Sequence, residues 1–202
     1  YQGAARCPAR PPYAFLELHI EQGPVLERVG RRIGAVTGVQ GISWTEVTIV
    51  GQSNHAGTTP MDMRRDPVVV AARLVTFVHE LALEMGGSQV ATVGLIDVTP
   101  NLVNVVPARV KLTVDLRNTD SRLLRDAEDR FSAHLASIAE SGEFVVHTQQ
   151  LARFDPVEFD PDIVDLVVSF AAEHGHDALR MPSGAGHDAQ MLAAVAPAGM
   201  IF

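Results

Sequence analysis

Cysteine is nearly missing from this chain: Cys7 stands alone among 202 residues. No intrachain disulfide can form, which fits a reducing, cytoplasmic setting. Long apolar runs are missing too. None reaches the roughly 18–20 residues that a helix needs to span a bilayer, and the first residues show no secretory-signal pattern. Basic clusters are also lacking, with 16 Lys and Arg against 24 Asp and Glu and a net charge of −8. That balance argues against a surface for nucleic acid or acidic lipid, so neither is an expected partner. Several catalytic signatures are absent as well. There is no H-E-x-x-H, no cysteine cluster, no His-x-Asp pair and no G-x-S-x-G elbow. Internal repeats and low-complexity tracts are absent.

What remains is a globular composition, 47% hydrophobic and 20% charged, long enough for one large domain or two small ones. Residues 1–12 read as irregular, 13–20 as a buried strand and 31–38 as a second strand. Ile42–Val50 alternates polar and apolar residues, the period of a half-buried strand. Asp66-Pro67 reads as N-cap and first helical position. Val70, Leu74, Phe77, Val78, Leu81 and Met85 then follow helical spacing up to Gly86-Gly87. Val90–Val98 and Arg109–Arg117 read as strands. Thr119 or Asp120 caps a second helix, with Leu124, Ala127, Phe131, Leu135 and Ile138 along one stripe. A strand at Phe144–Leu151 completes a β-α-β-β-α-β order, the pattern of a ferredoxin-like unit. A free face or edge of such a sheet can meet a partner, so a dimer is expected. Asp160-Pro161 opens a further helix ending near Gly175, and a short helix is expected at 189–195. Pro197–Phe202 reads as a strand just beginning. With no Met at Tyr1, this suggests an internal segment of a longer chain.

Four stretches carry candidate chemistry. In Glu17-Leu18-His19-Ile20-Glu21-Gln22-Gly23, His19 sits at the carboxyl end of a strand, where open α/β sheets place ligands. A neutral imidazole there suits a transition-metal ion, with nearby carboxylates orienting it; a satisfied structural histidine is the plainer reading. In Asn54-His55-Ala56-Gly57-Thr58-Thr59-Pro60-Met61, small residues allow close backbone approach around His55, although Asn, Gly and Pro also build ordinary turns. Asn104 and Arg117 flank a strand. The guanidinium of Arg117 can grip a carboxylate in two places, or simply pair with Asp115 or Asp120. His187 lies in the glycine-rich loop Ser183-Gly184-Ala185-Gly186-His187-Asp188, ahead of a helix, an environment suited to an anion. A Ser183–His187–Asp188 triad is set aside, because triads assemble from distant segments.

These four motifs, in this order, resemble the hydantoinase/carbamoylase amidase branch of the M20 metallopeptidase-like family, which includes N-carbamoyl-L-amino acid and allantoate amidohydrolases. The resemblance implies an α/β fold: a partial metallopeptidase-like catalytic domain at 1–39 and 153–202, with an inserted ferredoxin-like lid and dimerisation domain at 40–152. It implies a cytoplasmic homodimer whose parent enzyme uses two divalent ions (Zn, Mn, Co or Ni) to hydrolyse a linear amide, giving amino acid, ammonia and carbon dioxide. His19 is then a metal ligand, and Gln22 a polar group on the substrate side. His55 polarises the scissile carbonyl across the dimer, Asn104 and Arg117 bind the substrate carboxylate, and His187 lines the pocket. The family's His-x-Asp ligands, paired glutamates and final histidine have no counterpart here, so the segment alone is expected to be inactive. Allantoate amidohydrolase is the runner-up within the enzyme class; a non-catalytic dimerisation or binding remnant and a peptidase of the same family are the other competing readings.

Overall fold

The computed structural model describes residues 12–202; the expected irregular stretch and Cys7 lie outside the described residues, Pro12 excepted. The elements run β1 Phe15–Leu18, α1 Val25–Val29, β2 Ile33–Val39, β3 Gly41–Val50, β4 Asn54–His55, α2 Pro67–Met85, β5 Val90–Thr99 and β6 Val105–Val106. They continue with β7 Arg109–Asn118, α3 Ser121–Glu140, β8 Val145–Phe154, β9 Val157–Glu158, α4 Pro161–Glu173, β10 Ala178–Ser183, α5 Asp188–Leu192 and β11 Ala198–Ile201. The fold is mixed α/β, in two compact units: residues 1–40 with 156–202, and residues 41–155.

The first unit holds a mixed sheet in the order β1-β11-β2-β10, with β9 also pairing β2. β1 runs parallel to β11, and β10 parallel to β2, while β11 and β2 are antiparallel. Ala35, Val36, Val39, Val164, Val167, Met181, Ala198 and Met200 form its core. Asp160 caps α4 by accepting from the Asp162 and Ile163 amides, and Pro161 takes the first helical position, where no amide is required. Gly199 is required where β11 meets α4, because any Cβ there would collide with Ile163.

The expected buried strand at 13–20 is corrected in two ways. It is ordered as a strand only over Phe15–Leu18, and among the described residues it lies at the sheet's edge, paired with β11 alone. Phe15, Glu17 and His19 therefore share one face, by the period of two, while Leu16 and Leu18 on the other are 53% and 79% exposed. An apolar groove of about 630 Å³ runs along that second face between β1 and α4, lined by Leu16, Ile163, Leu166 and Phe170. It contains none of the polar side chains considered below.

The second unit is a four-stranded antiparallel sheet in the order β5-β7-β3-β8. In chain order it reads strand, helix, strand, strand, helix, strand. Val110, Leu112, Val114 and Leu116 of β7 are buried with Val47 and Ile49 of β3, and with Val70, Leu74, Val78 and Leu81 of α2 and Leu124, Phe131 and Leu135 of α3. Since β7 alternates, Asp115 and Arg117 lie on the face away from that core. Asp66 caps α2 by accepting from the Val68 amide, and Gly86 closes it at φ 62. Asp120, rather than Thr119, caps α3. Among the described residues no helix is long and apolar enough to cross a membrane.

Candidate metal centre

Glu17 and His19 leave the same face of β1, and His187 is brought against them from the loop between β10 and α5. One potential ligand atom from each lies within 4.8 Å of the other two. The His19 and His187 rings meet edge to face at 4.8 Å between centroids. Strand pairing holds His19 in place: its amide donates to the Ile201 carbonyl at 3.0 Å, extending the β1–β11 ladder by one residue. The His19 Nδ1 lies 2.8 Å from the Ile20 carbonyl. A carbonyl can only accept, so the ring proton is on Nδ1 and the Nε2 lone pair is available.

Glu17 is anchored by one oxygen and open at the other. Oε2 accepts from the Ala189 amide at 2.7 Å, in the first turn of α5, while Oε1 stands 3.6 Å from His187 Nδ1. The other His187 nitrogen, Nε2, lies 2.7 Å from Ser183 Oγ. Burial pushes the His187 pKa down, opposed by Glu17 and Asp188 and reinforced by His19. The imidazole is thus favoured in its neutral, ligand-competent form. Two imidazoles and a carboxylate are donors that suit zinc and its neighbours in the first transition row. Glu17 Oε1 and His187 Nδ1, 3.6 Å apart, already lie within the about 4.2 Å that two opposed bonds of about 2.1 Å would span.

The set-aside triad has a partial counterpart, with Glu17 in place of Asp188. Ser183 Oγ meets His187 Nε2, four residues on, at 2.7 Å, but Glu17 Oε1 stands 3.6 Å from His187 Nδ1, too far for a hydrogen bond. Ser183 is moreover 1% exposed, and its hydroxyl is engaged by both the amide and the carbonyl of Ala185. A nucleophile must reach its substrate, and this one is sealed.

Glu21, expected near His19, does other work. Its two carboxylate oxygens accept from the Val25 and Leu26 amides at 2.7 and 2.8 Å, fastening the first turn of α1. Gln22 follows in the left-handed region at φ 57, with an exposed side chain.

In the second unit, His55 and Asn104 come together on the β4–β6 ribbon, where His55 pairs with Val105 and the Ala56 amide donates to the Asn104 carbonyl at 2.9 Å. The His55 Nδ1 accepts from the Gly57 and Thr58 amides at 3.0 and 3.2 Å. Its ring proton is therefore on Nε2, leaving an exposed N–H donor. Gly57 permits this close approach, since a Cβ there would stand 3.3 Å from His55 Cε1. Arg64 ties the loop by donating to the Ala56 and Thr59 carbonyls. Arg117 is held by Asp115, whose two oxygens accept from Nε at 3.0 Å and from Nη2 at 2.6 Å, and its guanidinium carbon lies 5.9 Å from the Trp44 ring centroid. Trp44 was not singled out by sequence, Glu17 entered only as a carboxylate near His19, and Ser183 only in the triad set aside. The alternation that puts Glu17 on the same face as His19 is the signal that ties it to the site.

The sequence pattern of Peptidase family M20/M25/M40 matches residues 3–202. The chain belongs to that family. Among M20 relatives it is 40% identical over 194 residues to an N-carbamoyl-L-amino-acid amidohydrolase of Rhizobium meliloti, covering 96% of this chain and 47% of that one. It is 39% identical over 189 residues to an allantoate amidohydrolase of Escherichia coli strain K12, covering 94% and 46%. An amidase of the hydantoinase/carbamoylase family from Burkholderia multivorans matches in structure with a TM-score of 0.91 and 43% identity, over 96% of this chain and 47% of that one. The chain spans about half the length of these M20 relatives.

Proposed function

We propose that this chain carries part of the active site of a metal-dependent amidohydrolase, one that cleaves the ureido C–N bond of an N-carbamoyl-L-amino acid. The observation that carries the reading is the convergence of Glu17, His19 and His187 into one donor cluster. The names of the relatives support the substrate class. With one water the ureido group gives the free amino acid, ammonia and carbon dioxide.

In this reading His19 is a metal ligand and His187 lines the same pocket. The working centre holds two divalent ions (zinc, manganese, cobalt or nickel) and draws its other ligands from outside this chain. A bound ion supplies Lewis acidity to the carbonyl and lowers the pKa of a water. The protein's own groups do the positioning. Gln22 offers its amide on the substrate side. Unit 41–155 is a ferredoxin-like lid and dimerisation domain, its topology supporting the assignment. Arg117 and Asn104 bind the substrate carboxylate, a fork of two parallel N–H donors being suited to it. His55 of the partner subunit donates its Nε2–H to the developing oxyanion. The enzyme is a cytoplasmic homodimer.

Allantoate is the second substrate considered, because the relative from Escherichia coli, an allantoate amidohydrolase, is nearly as similar as the carbamoylase from Rhizobium meliloti. Ammonia release from a panel of N-carbamoyl-L-amino acids, allantoate and dipeptides separates the readings. It should be run on the protein carrying this chain together with the segments the relatives have beyond it. Release from N-carbamoyl amino acids is expected. Cleavage of allantoate alone would move the assignment, and cleavage of dipeptides alone would overturn it.

A further inference from the structure

The helix-facing side of the sheet in unit 41–155 changes character along its length. By the period of two, Ser43, Thr45, Val47 and Ile49 of β3 share that side. Antiparallel pairing sets Val146 of β8 beside Ile49, Thr148 beside Val47 and Gln150 beside Thr45. Val47 and Ile49 are in the apolar core, and Val146 packs against it. Ser43, Thr45, Thr148 and Gln150 instead line a cleft of about 280 Å³, together with residues of α3. Phe131 and Leu135, both buried, give the cleft an apolar wall, and Glu128, Ser132 and Arg153 complete its polar lining.

The fold leaves the uncharged polar groups of this cleft unused. Ser43 is 3% exposed. Neither it nor Thr45, Ser132, Thr148 or Gln150 makes a side-chain hydrogen bond among the described residues. A buried hydroxyl is costly without a partner, so one that borders a space of this size takes its partner from whatever enters.

The charges, by contrast, are matched within the protein. Arg153 Nε donates to the two Glu128 oxygens at 3.1 and 3.3 Å, Nη2 to one of them at 3.3 Å, and Nη1 to Asp155 at 2.9 Å. A charged ligand would have to break this pairing or enter uncompensated, and both are unfavourable in a half-buried place. An uncharged ligand meets no such cost. Serine and threonine hydroxyls both donate and accept, and so does the Gln150 amide. The hydroxyls of a polyol have the same mixed character, while its C–H groups can lie against Phe131 and Leu135. The volume falls just under the roughly 300–1,000 Å³ of ordinary small-molecule pockets, which suits a ligand no larger than a monosaccharide.

We propose that the cleft between α3 and β8 is a binding site for a small uncharged polyol, held by Ser43, Thr45, Thr148 and Gln150. The site lies wholly within unit 41–155 and shares no residue with the metal-dependent reading above, so the two fail separately. Hydrolysis of a ureido compound neither requires this site nor argues for it.

The test is a nitrogen-15 NMR titration of the 202-residue chain with glycerol and with D-glucose, using acetate and methylammonium as charged counterparts. Backbone amide shifts that saturate and centre on Ser43, Thr45, Phe131 and Gln150 are expected with at least one polyol, and none with the ions. Thr45→Val keeps the shape and removes the hydroxyl, and should weaken the affinity by about three- to tenfold. Thr113→Val, on the opposite face of the sheet, should leave it unchanged. No saturating shift with either polyol, shifts centred elsewhere, or an equal response to the ions would overturn the proposal on the unmutated protein. Equal losses of affinity in the two variants would overturn it as well.

Discussion

The Glu17 carboxylate accepts a 2.7 Å hydrogen bond from the Ala189 amide, joining edge strand β1 to the first turn of α5 across 172 residues of sequence. One side chain thus holds His187 close to His19 and, by its second oxygen, completes the donor cluster. Ala189 is fully buried, so water cannot readily replace the lost acceptor. Glu17→Ala should lower stability by about 1–3 kcal/mol, and Glu17→Gln, which keeps one acceptor oxygen, by less. Urea denaturation checks this; an unchanged midpoint for the alanine variant would contradict it.

Asn118, 1% exposed, donates to Gln89 Oε1 at 2.9 Å and accepts from the Asp120 amide at 2.9 Å. It links the end of β7 to the segment before β5 and to the cap of α3. Asn118→Ala leaves both partners short of a bond and should cost about 1–3 kcal/mol. Gln89→Ala removes the first bond together with the Gln89 Nε2 bond to the Val90 carbonyl at 3.0 Å, and should be similarly costly. An unchanged urea midpoint in either variant would contradict this account of the network.

His134 of α3 stacks on Phe77 of α2, with ring centroids 3.9 Å apart and planes within 4°. Burial lowers its pKa from the usual 6.5. Well above that value the ring is neutral in the folded and unfolded chain alike, so the shift has no effect on stability. As pH falls through 6.5 the unfolded chain takes up its proton first. Stability is then lost across the window down to the folded value, and no further loss follows below it. A residue-resolved titration should place the His134 midpoint under 6.5, and His134→Phe should flatten part of the acid slope. A midpoint above 6.5 would refute the assignment.

If Arg117 holds the substrate carboxylate, Arg117→Lys should reduce the preference for free-acid substrates over their amides. An ammonium cannot reproduce the two-pronged grip, nor its fit between Asp115 and Trp44. Steady-state comparison of the acid and amide pairs reads this directly, and full retention of the preference would refute the role.

Local signals in the sequence were strong where they were chemical. Asp66-Pro67 and Asp160-Pro161 mark helix starts because an Asp side chain takes up first-turn amides that Pro does not need, and both caps form. Alternation marks β7 along its whole length and β3 over Val47–Val50, whereas the start of β3 buries Gly41, Ile42 and Ser43 in succession. The losses have physical causes. β1 looked buried because its residues are apolar, yet burial depends on neighbours, and an edge strand has one. β10 was missed because Pro182 argues against a strand, although Ala178–Ser183 pairs with β2 at the sheet's outer position. The two-residue strands β4 and β6 carry no period to detect.

At the candidate site, His19 and His187 were legible as residues but not as neighbours. Their meeting depends on a loop turning back from β10 and on the Glu17–Ala189 bond, both long-range features. The role of Glu21 was misread for the opposite reason. Its bonds are local, four and five residues ahead, and a helix as short as α1 gives too little periodicity to reveal that it needs a cap.

The most direct test of the central claim is metal-dependent ammonia release from N-carbamoyl-L-amino acids by the protein extended to the length of its relatives, alongside its His19→Ala variant. The account predicts turnover that disappears on chelation and returns with a divalent ion, together with metal occupancy and turnover both lowered in His19→Ala. Turnover that survives chelation, or full occupancy and activity without His19, would contradict it.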